Sequence, residues 1–472
     1  MVHTIEYFLG DSRLNERARR ILWKLAEIPG RSFPGSFQKY SELEGFYRFV
    51  NNKRVKLDKL LQPLIEQGLQ QVVNRCIKET LIVHDTTEVC PNSQSIRAAR
   101  VFPPLERKTK HGFLAHVSLA VSPGRDRSIF GLLGLYVWTR NRIKPKKRSR
   151  KYTNLPDSHE SSRWGKQVKA VEAVSGNLSQ KFIHVMDRDA DAYWLFCQLK
   201  RSQSRFVVRL CHDRIVDEES ERKTFDFFRA TYPDKITRSV HLSKRIIKKN
   251  APLKNSKRHP ARKERIAHLT CHAKNVCIKR GQNCTSFKSQ PKLLSEININ
   301  IVHVYEPNPP AGESAVEWFL VTSESIETDQ QIEKIVDFYR SRWVVEEFFK
   351  ALKYRCRLEE RFLGQANSWY KLLAFFIPIA CQIYNLRNIT SNSISGDSPI
   401  LTKLQWKILE KRASQEGRRM VTIEDAKLEI ANLGGHIKYA GLPGWLVLAR
   451  GFEQLRLLEQ GWLVSKKTNS PQ

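Results

Sequence analysis

The chain has 472 residues, with 81 Lys and Arg against 48 Asp and Glu, a formal charge of +33. An excess of that size calls for a polyanionic partner, nucleic acid first. Because the basic residues are spread along the whole chain and not gathered on one amphipathic helix, a membrane-surface role is disfavoured. The longest apolar run, Leu372 to Tyr384, is too short to span a bilayer and contains Pro378, so it reads as a buried helix. The opening stretch shows no signal-peptide pattern. Nine cysteines, an odd number scattered from Cys76 to Cys381, give no disulfide framework in a chain long enough to bury its own cores. A cytoplasmic protein with reduced thiols is expected.

In chain order, residues 10–52 read as short helices. Asp11 is an N-cap candidate, and Gly30 with Pro34-Gly35 breaks the pattern. Arg13, Arg17 and Arg20 recur at helical spacing opposite Leu14, Ile21 and Leu25, and Arg31, Lys39 and Arg48 follow. This suits a small helical DNA-contact module over residues 1–57, with a basic solvated face as the plainer reading. TLIVHDTT, FLAHVSLAVS and FGLLGLYVW then read as consecutive strands. After the basic loop NRIKPKKRSRKYTNLPD come a helix, SSRWGKQVKAVEAV, and the strands KFIHVMD and SRFVVRL on either side of a helix from about Ala190 to Leu199. Residues 212–308 are Lys- and Arg-rich, as in KRIIKKNAPLKNSKRHPARKER, and carry short alternating runs, which predicts a β-rich insertion. The core resumes with AVEWFLVTS, a long helix and the apolar helix ending near Arg387. NITSNSISGDSP marks a boundary before a separate set of helices over 391–472. The expected architecture is therefore α/β, a mixed-sheet core over 58–390 flanked by helical ends. Cys271, Cys277 and Cys284, with His268 and His272 beside them, raise the question of zinc; they lack a paired C-x2-C knuckle and read as unligated thiols.

The segment YRSRWVVEEFFKALK carries the chemistry. On an α-helix it places Tyr339, Arg342, Glu346, Lys350 and Lys353 within an arc of roughly 80°. Val344, Val345, Phe348 and Leu352 form an opposite apolar face that can dock the helix on a sheet. A carboxylate flanked by a phenol, a guanidinium and ammonium groups suits a metal ion and the phosphates of a substrate. Asp85 closes the apolar run LIV, and Asp187 closes FIHVM. Either alone reads as an acid that starts a turn. Together with Glu346 they can converge over one sheet edge and hold two divalent ions, as phosphodiester chemistry requires. Arg342, Lys350 and Lys353 would then neutralise phosphate oxygens, with Tyr339 donating a hydrogen bond.

At these residues the sequence resembles the DDE transposases of bacterial cut-and-paste insertion sequences, in the group marked by Y-x2-R-x3-E-x6-K. Its signature is met by Tyr339, Arg342, Glu346 and Lys353, and HDTT and MDRDAD resemble the two aspartate motifs. The stretches GFYRF at Gly45, RFVVR at Arg205, EWFLVTSE at Glu317 and LGGH at Leu433 extend the likeness through most of the chain. The resemblance implies an RNase H-like core interrupted by the β insertion, a helical end-binding domain contacting DNA through Arg13, Arg17, Arg31 and Arg48, and a C-terminal dimerisation domain. It further implies Mg2+ or Mn2+ on Asp85, Asp187 and Glu346, and a phosphate contact at Arg209. The partners it implies are double-stranded DNA, as terminal inverted repeats and target, and a second copy of the chain in a paired-end homodimer. The place it implies is the bacterial cytoplasm, at the nucleoid. Trp318 falls where such enzymes stack a base flipped out near a hairpin end, with Trp343 beside it; packing is the alternative for both. Two other readings share the core: a non-catalytic inhibitor of transposition, and a structure-selective nuclease.

Overall fold

The computed structural model describes residues 5–75, 77–91, 96–105, 110–140, 154–155, 159–216, 223–230, 236–242, 261–281, 284, 286–287, 292–388, 401–437 and 443–468. The segments NRIKPKKRSRKYTNLPD, KRIIKKNAPLKNSKRHPARKER and NITSNSISGDSP lie largely outside these residues.

Asp11 starts α1 (Ser12–Glu27) by accepting the Arg13 N–H at 2.9 Å, and Ser32 starts α2 (Phe33–Ser36) with Pro34 in its first turn. Next come α3 (Tyr40–Asn51), α4 (Leu57–Asn74), β1 (Thr80–Val89), α5 (Ile96–Val101), β2 (Phe113–Val121), β3 (Ile129–Trp138) and β4 (Asn154–Leu155). The middle of the chain forms α6 (Arg163–Ser175), β5 (Phe182–Met186), α7 (Tyr193–Arg201), β6 (Arg205–Arg209), α8 (Thr224–Ala230), β7 (Ile236–Leu242), β8 (Arg265–Lys279), β9 (Ser286–Phe287), β10 (Glu296–Tyr305) and β11 (Glu317–Thr322). The remainder is helical: α9 (Asp329–Ser341), α10 (Trp343–Lys350), α11 (Ala366–Asn388), α12 (Lys403–Gln415), α13 (Ile423–Leu433) and α14 (Trp445–Thr468).

Nine strands form one mixed sheet in the order β3-β2-β1-β5-β6-β11-β10-β8-β7. Within it β1 pairs with β5 and β5 with β6 in parallel. The chain divides into two compact units: Met1–Lys78, Thr86–Lys144 and Trp343–Gln472 make the first, and Glu79–Asp85 and Pro145–Arg342 the second. The division falls inside β1.

In the second unit the apolar residues of β5 and β6 are covered by α7, whose Trp194, Leu195 and Phe196 pack with Phe206 and Val208. The strands of the basic insertion continue this sheet: β10 pairs with β11 and β8 with β10, all antiparallel. Cys271 and Cys277 both lie on β8, opposite Val304 and Asn298. Six residues of strand separate them by ~20 Å, so they cannot share an ion.

In the first unit α4 lies on β3 at a glycine contact. A Cβ on Gly131 would come within 2.6 Å of the Gly68 Cα, so neither position has room for a side chain. The apolar run expected to be a buried helix is the heart of α11, with Leu372 to Ala380 buried throughout, Pro378 included. Two buried cations tie α11 and the segment before it to the N-terminal helices. Lys371 donates to the carbonyls of Val50 and Asn52 at 2.9 and 2.8 Å, at the C-terminal end of α3 where a cation is favoured. Arg361 donates to the carbonyls of Pro29, Cys356 and Arg31. The helices α12, α13 and α14 share a core of their own, with capping boxes at Thr402 and Thr422. Among the described residues no helix is long and apolar enough to cross a membrane.

Candidate active site

Strand alternation and register bring the two aspartates together. Parallel pairing aligns Leu81 with Ile183 and Val83 with Val185, and the same register two residues further sets Asp85 level with Asp187 on the same face. The opposite face carries His84 and His184, joined Nε2 to Nδ1 at 2.8 Å, with Glu172 3.6 Å from His184. A one-residue slip would exchange acids for histidines, and the buried run before each acid fixes the register against it.

Arginines flank the acids. Arg342, just past α9, holds Asp85 at 3.2 Å. Asp187 accepts the Asp189 N–H at 2.9 Å. Burial pushes the Asp187 carboxyl above the usual carboxylate range; Asp189 adds to this, while Arg342 and Arg163 pull it down. Arg163, the first residue of α6, is 12% exposed in its side chain. It donates to the Glu160 carbonyl at 3.0 Å, stands 4.0 Å from the Asp189 carboxylate and lies over the Trp164 ring at 5.1 Å. In the sequence Arg163 does not stand out, because an arginine opening an amphipathic helix looks solvated. A signal was available: a cation in the first turn opposes the helix dipole and is disfavoured unless an anion is near.

Trp318, half-buried at the start of β11, meets Tyr339 of α9 edge to face at 5.5 Å. Its neighbour Glu317 takes two hydrogen bonds from Arg229, at 2.9 and 2.6 Å, and lies 3.0 Å from His303 Nε2, and these partners pull its carboxyl down to about 2. Arg209 donates to the Glu317 carbonyl at 3.1 Å.

The chain enters the first unit at Trp343. The continuous helix expected from Tyr339 to Lys353 is instead segmented: α9 ends at Ser341, α10 runs to Lys350, and Ala351–Arg355 winds as a π-turn closed by Cys356 N–H to Ala351 O at 3.1 Å. The wider winding carries Lys353 off the single stripe, because each residue there advances by less than the 100° of an α-helix. Its ammonium reaches the Glu88 carbonyl and stands 3.3 Å from Glu359. The apolar face is as expected, with Val344, Val345, Phe348 and Leu352 buried. Glu346 lies in the first turn of α10, Lys350 pairs with Glu347 at 2.6 Å, and Trp343 is 49% exposed.

Residues 5–55 match the transposase DNA-binding family, and residues 190–372 match the transposase DDE domain family. The two matches support a DDE-type transposase. The DDE match contains Arg209, Trp318, Tyr339, Arg342, Trp343, Glu346, Lys350 and Lys353, and begins just after Asp187. Together the matches support DNA as partner and DNA cleavage as activity, and DDE transposase domains depend on divalent metal. The RNase H-like core implied by the DDE domain accords with the mixed sheet.

The DNA-binding match covers α1 to α3, where Arg13, Arg31 and Arg48 are exposed. Arg48 pairs with Glu44 at 2.6 Å, and Arg17 crosses α3 so closely that a Cβ on Gly45 would lie 2.5 Å from its guanidinium.

Among the described residues, the one set of three potential ligands within 4.8 Å of one another is Asp191, Cys211 and His212. It suits a metal poorly. Arg214 holds the Asp191 carboxylate at 2.5 Å, the N–H groups of Cys211 and His212 donate to it, and burial and Asp191 push the Cys211 thiol up to about 11. Asp85 and Asp187 do fit a hard divalent cation. They are oxygen donors on one face, and the buried Asp187 needs positive charge to ionise.

Proposed function

We propose that the protein binds and pairs the ends of a DNA element, nicks and excises it through hairpin ends, and joins the freed 3′-hydroxyls to target DNA. The observation that carries this reading is the pairing of Asp85 and Asp187 on one face of neighbouring parallel strands, with Arg342 against Asp85. Glu346, four residues past Arg342, supplies the third carboxylate. Asp85, Asp187 and Glu346 would hold two Mg2+ or Mn2+ ions, whose charge would favour the attacking and the departing oxygen.

The chain's own groups do the rest. Arg342, Lys350 and Lys353 neutralise phosphate oxygens as charge develops, and Tyr339 and Arg209 hold neighbouring phosphates. Trp318, braced by Tyr339, and the exposed Trp343 receive a flipped base; stacking of this kind offsets ~1–3 kcal/mol of unstacking. Arg13, Arg17, Arg31 and Arg48 read the ends. The C-terminal helices, with Leu457, Leu458 and Leu463 exposed on α14, support a homodimer in which each subunit cuts the end held by the other.

The test is to incubate the protein with the DNA flanking its reading frame and Mg2+, then map the cut strands. A nick at the element's terminus followed by a hairpin and strand transfer is expected. Binding without cutting would mark an inhibitor, cutting governed by DNA structure alone a nuclease, and either result sinks the reading. Removing residues after about Asp397 should abolish paired-end complexes yet spare single-end binding.

A further inference from the structure

We propose that Arg163 contacts the scissile phosphate, gripping it from the α6 side while Arg342 grips the other flank. The inference rests on the transposase reading above.

Two guanidinium groups flank the aspartates, from different elements of the second unit. Arg342 comes from the end of α9 and touches Asp85; Arg163 comes from the start of α6 and stands against Asp189, with Asp187 and Asp85 in its field. Arg163 is held on two sides. Its guanidinium is held over the Trp164 ring, and the Glu160 carbonyl fixes one nitrogen, so its direction is set before any substrate arrives. Its place at the first residue of α6, where the helix dipole is already positive, makes sense only beside anions.

Charge balance then says which anion. In the metal-free protein the anions are Asp187, Asp189, Asp85 and Glu160. Divalent ions on Asp187 and Asp85 would turn that flank from negative to positive, which favours a further anion beside the guanidinium even with Glu160 and Asp189 in place. A phosphodiester bound at the same carboxylates would supply it, and a planar guanidinium can take two of its oxygens at once. A purely structural arginine, fastening the loop at Asp189 to α6, would serve the fold and be indifferent to the phosphate.

The experiment is a cycle between residue and phosphate. The full-length protein binds a duplex carrying its terminal inverted repeat, with Ca2+ in place of Mg2+ so that the DNA stays uncut. A second duplex has the scissile phosphate replaced by an uncharged methylphosphonate. Wild-type affinity should fall about tenfold or more, the worth of a hydrogen bond to a charged group. Arg163→Gln should bind the normal duplex more weakly and lose clearly less than wild type on the neutral one, keeping only the part owed to Arg342, the two losses being non-additive as for groups in contact. Arg163→Met, which keeps the apolar stem over Trp164, should behave alike and decides the matter if the Gln variant fails to fold. Equal fold-losses in wild type and variants overturn the contact. A wild type that binds these ends no better than unrelated DNA overturns the transposase reading itself, and the proposal with it.

Discussion

Arg361 gives the sharpest test of how the N-terminal helices are held. The residue is 5% exposed, and its guanidinium lies between the rings of Phe33 and Phe376 at 5.2 and 5.3 Å and donates to the carbonyls of Pro29, Arg31 and Cys356. Two of those carbonyls belong to the turn between α1 and α2, inside the DNA-binding match. Arg361→Met keeps an apolar stem between the rings and strips the donors, leaving three buried acceptors at ~1–2 kcal/mol each. Part is recovered, because burial, which pulls the guanidinium's pKa down to about 10, is a cost that vanishes with the charge. A net loss of ~3 kcal/mol follows. Urea unfolding should show it as a lower midpoint at unchanged slope, and end binding should weaken because the turn bearing Arg31 loses its anchor. A variant within ~0.5 kcal/mol of wild type, the scatter of ordinary surface substitutions, would refute the reasoning.

Four further outcomes are expected. Asp187→Asn should abolish cutting, leave end binding nearly intact and raise the melting temperature of the metal-free protein, since the variant no longer buries an ionised carboxyl; a lower melting temperature would contradict this. Trp318→Ala should allow the first nick and depress the hairpin, partly restored by an abasic nucleotide at the flipped position; a normal ratio of nick to hairpin in a folded variant makes Trp318 a packing residue. Glu317 sits at about 2, below its unfolded value, so its ionised form contributes stability that is present above the ordinary carboxylate range and lost as pH falls through about 2. Glu317→Gln should therefore melt below wild type at neutral pH, with the gap closing on acidification, and a gap that does not depend on pH would remove the charge from the account. Gly131→Ala should destabilise the first unit by roughly 2 kcal/mol, as overpacking at a fixed backbone contact does, and thermal unfolding would show it.

The placement of Asp85 beside Asp187 could be read before the structure because each acid ends a run whose burial is plain from composition: LIV before Asp85 and FIHVM before Asp187 leave one register and one face. The apolar side of α10 was equally legible, since a periodic face is a local property. The π-turn at Ala351–Arg355 was not, for an α-helical pattern looks the same whether or not one bond widens to i+5. Nor could the sequence tell that the insertion strands join the main sheet, because alternation marks a strand and not its neighbour. Arg163, Arg361 and Lys371 were missed for one reason. A lone cation reads as solvated, and only the fold shows which carbonyls, rings and acids close around it.

The first unit also sets a timetable. Lys371 closes on the carbonyl of Asn52 across 319 residues of chain, and Arg361 on that of Pro29 across 332. At ~5–20 residues per second, a ribosome needs roughly 15–60 s to travel between those partners. Throughout that interval the emerging N-terminal helices lack the cations that seat them. A chain stopped early thus releases a basic N-terminal segment without its anchors, and the helices of the DNA-binding match are seated only once Lys371 has been made.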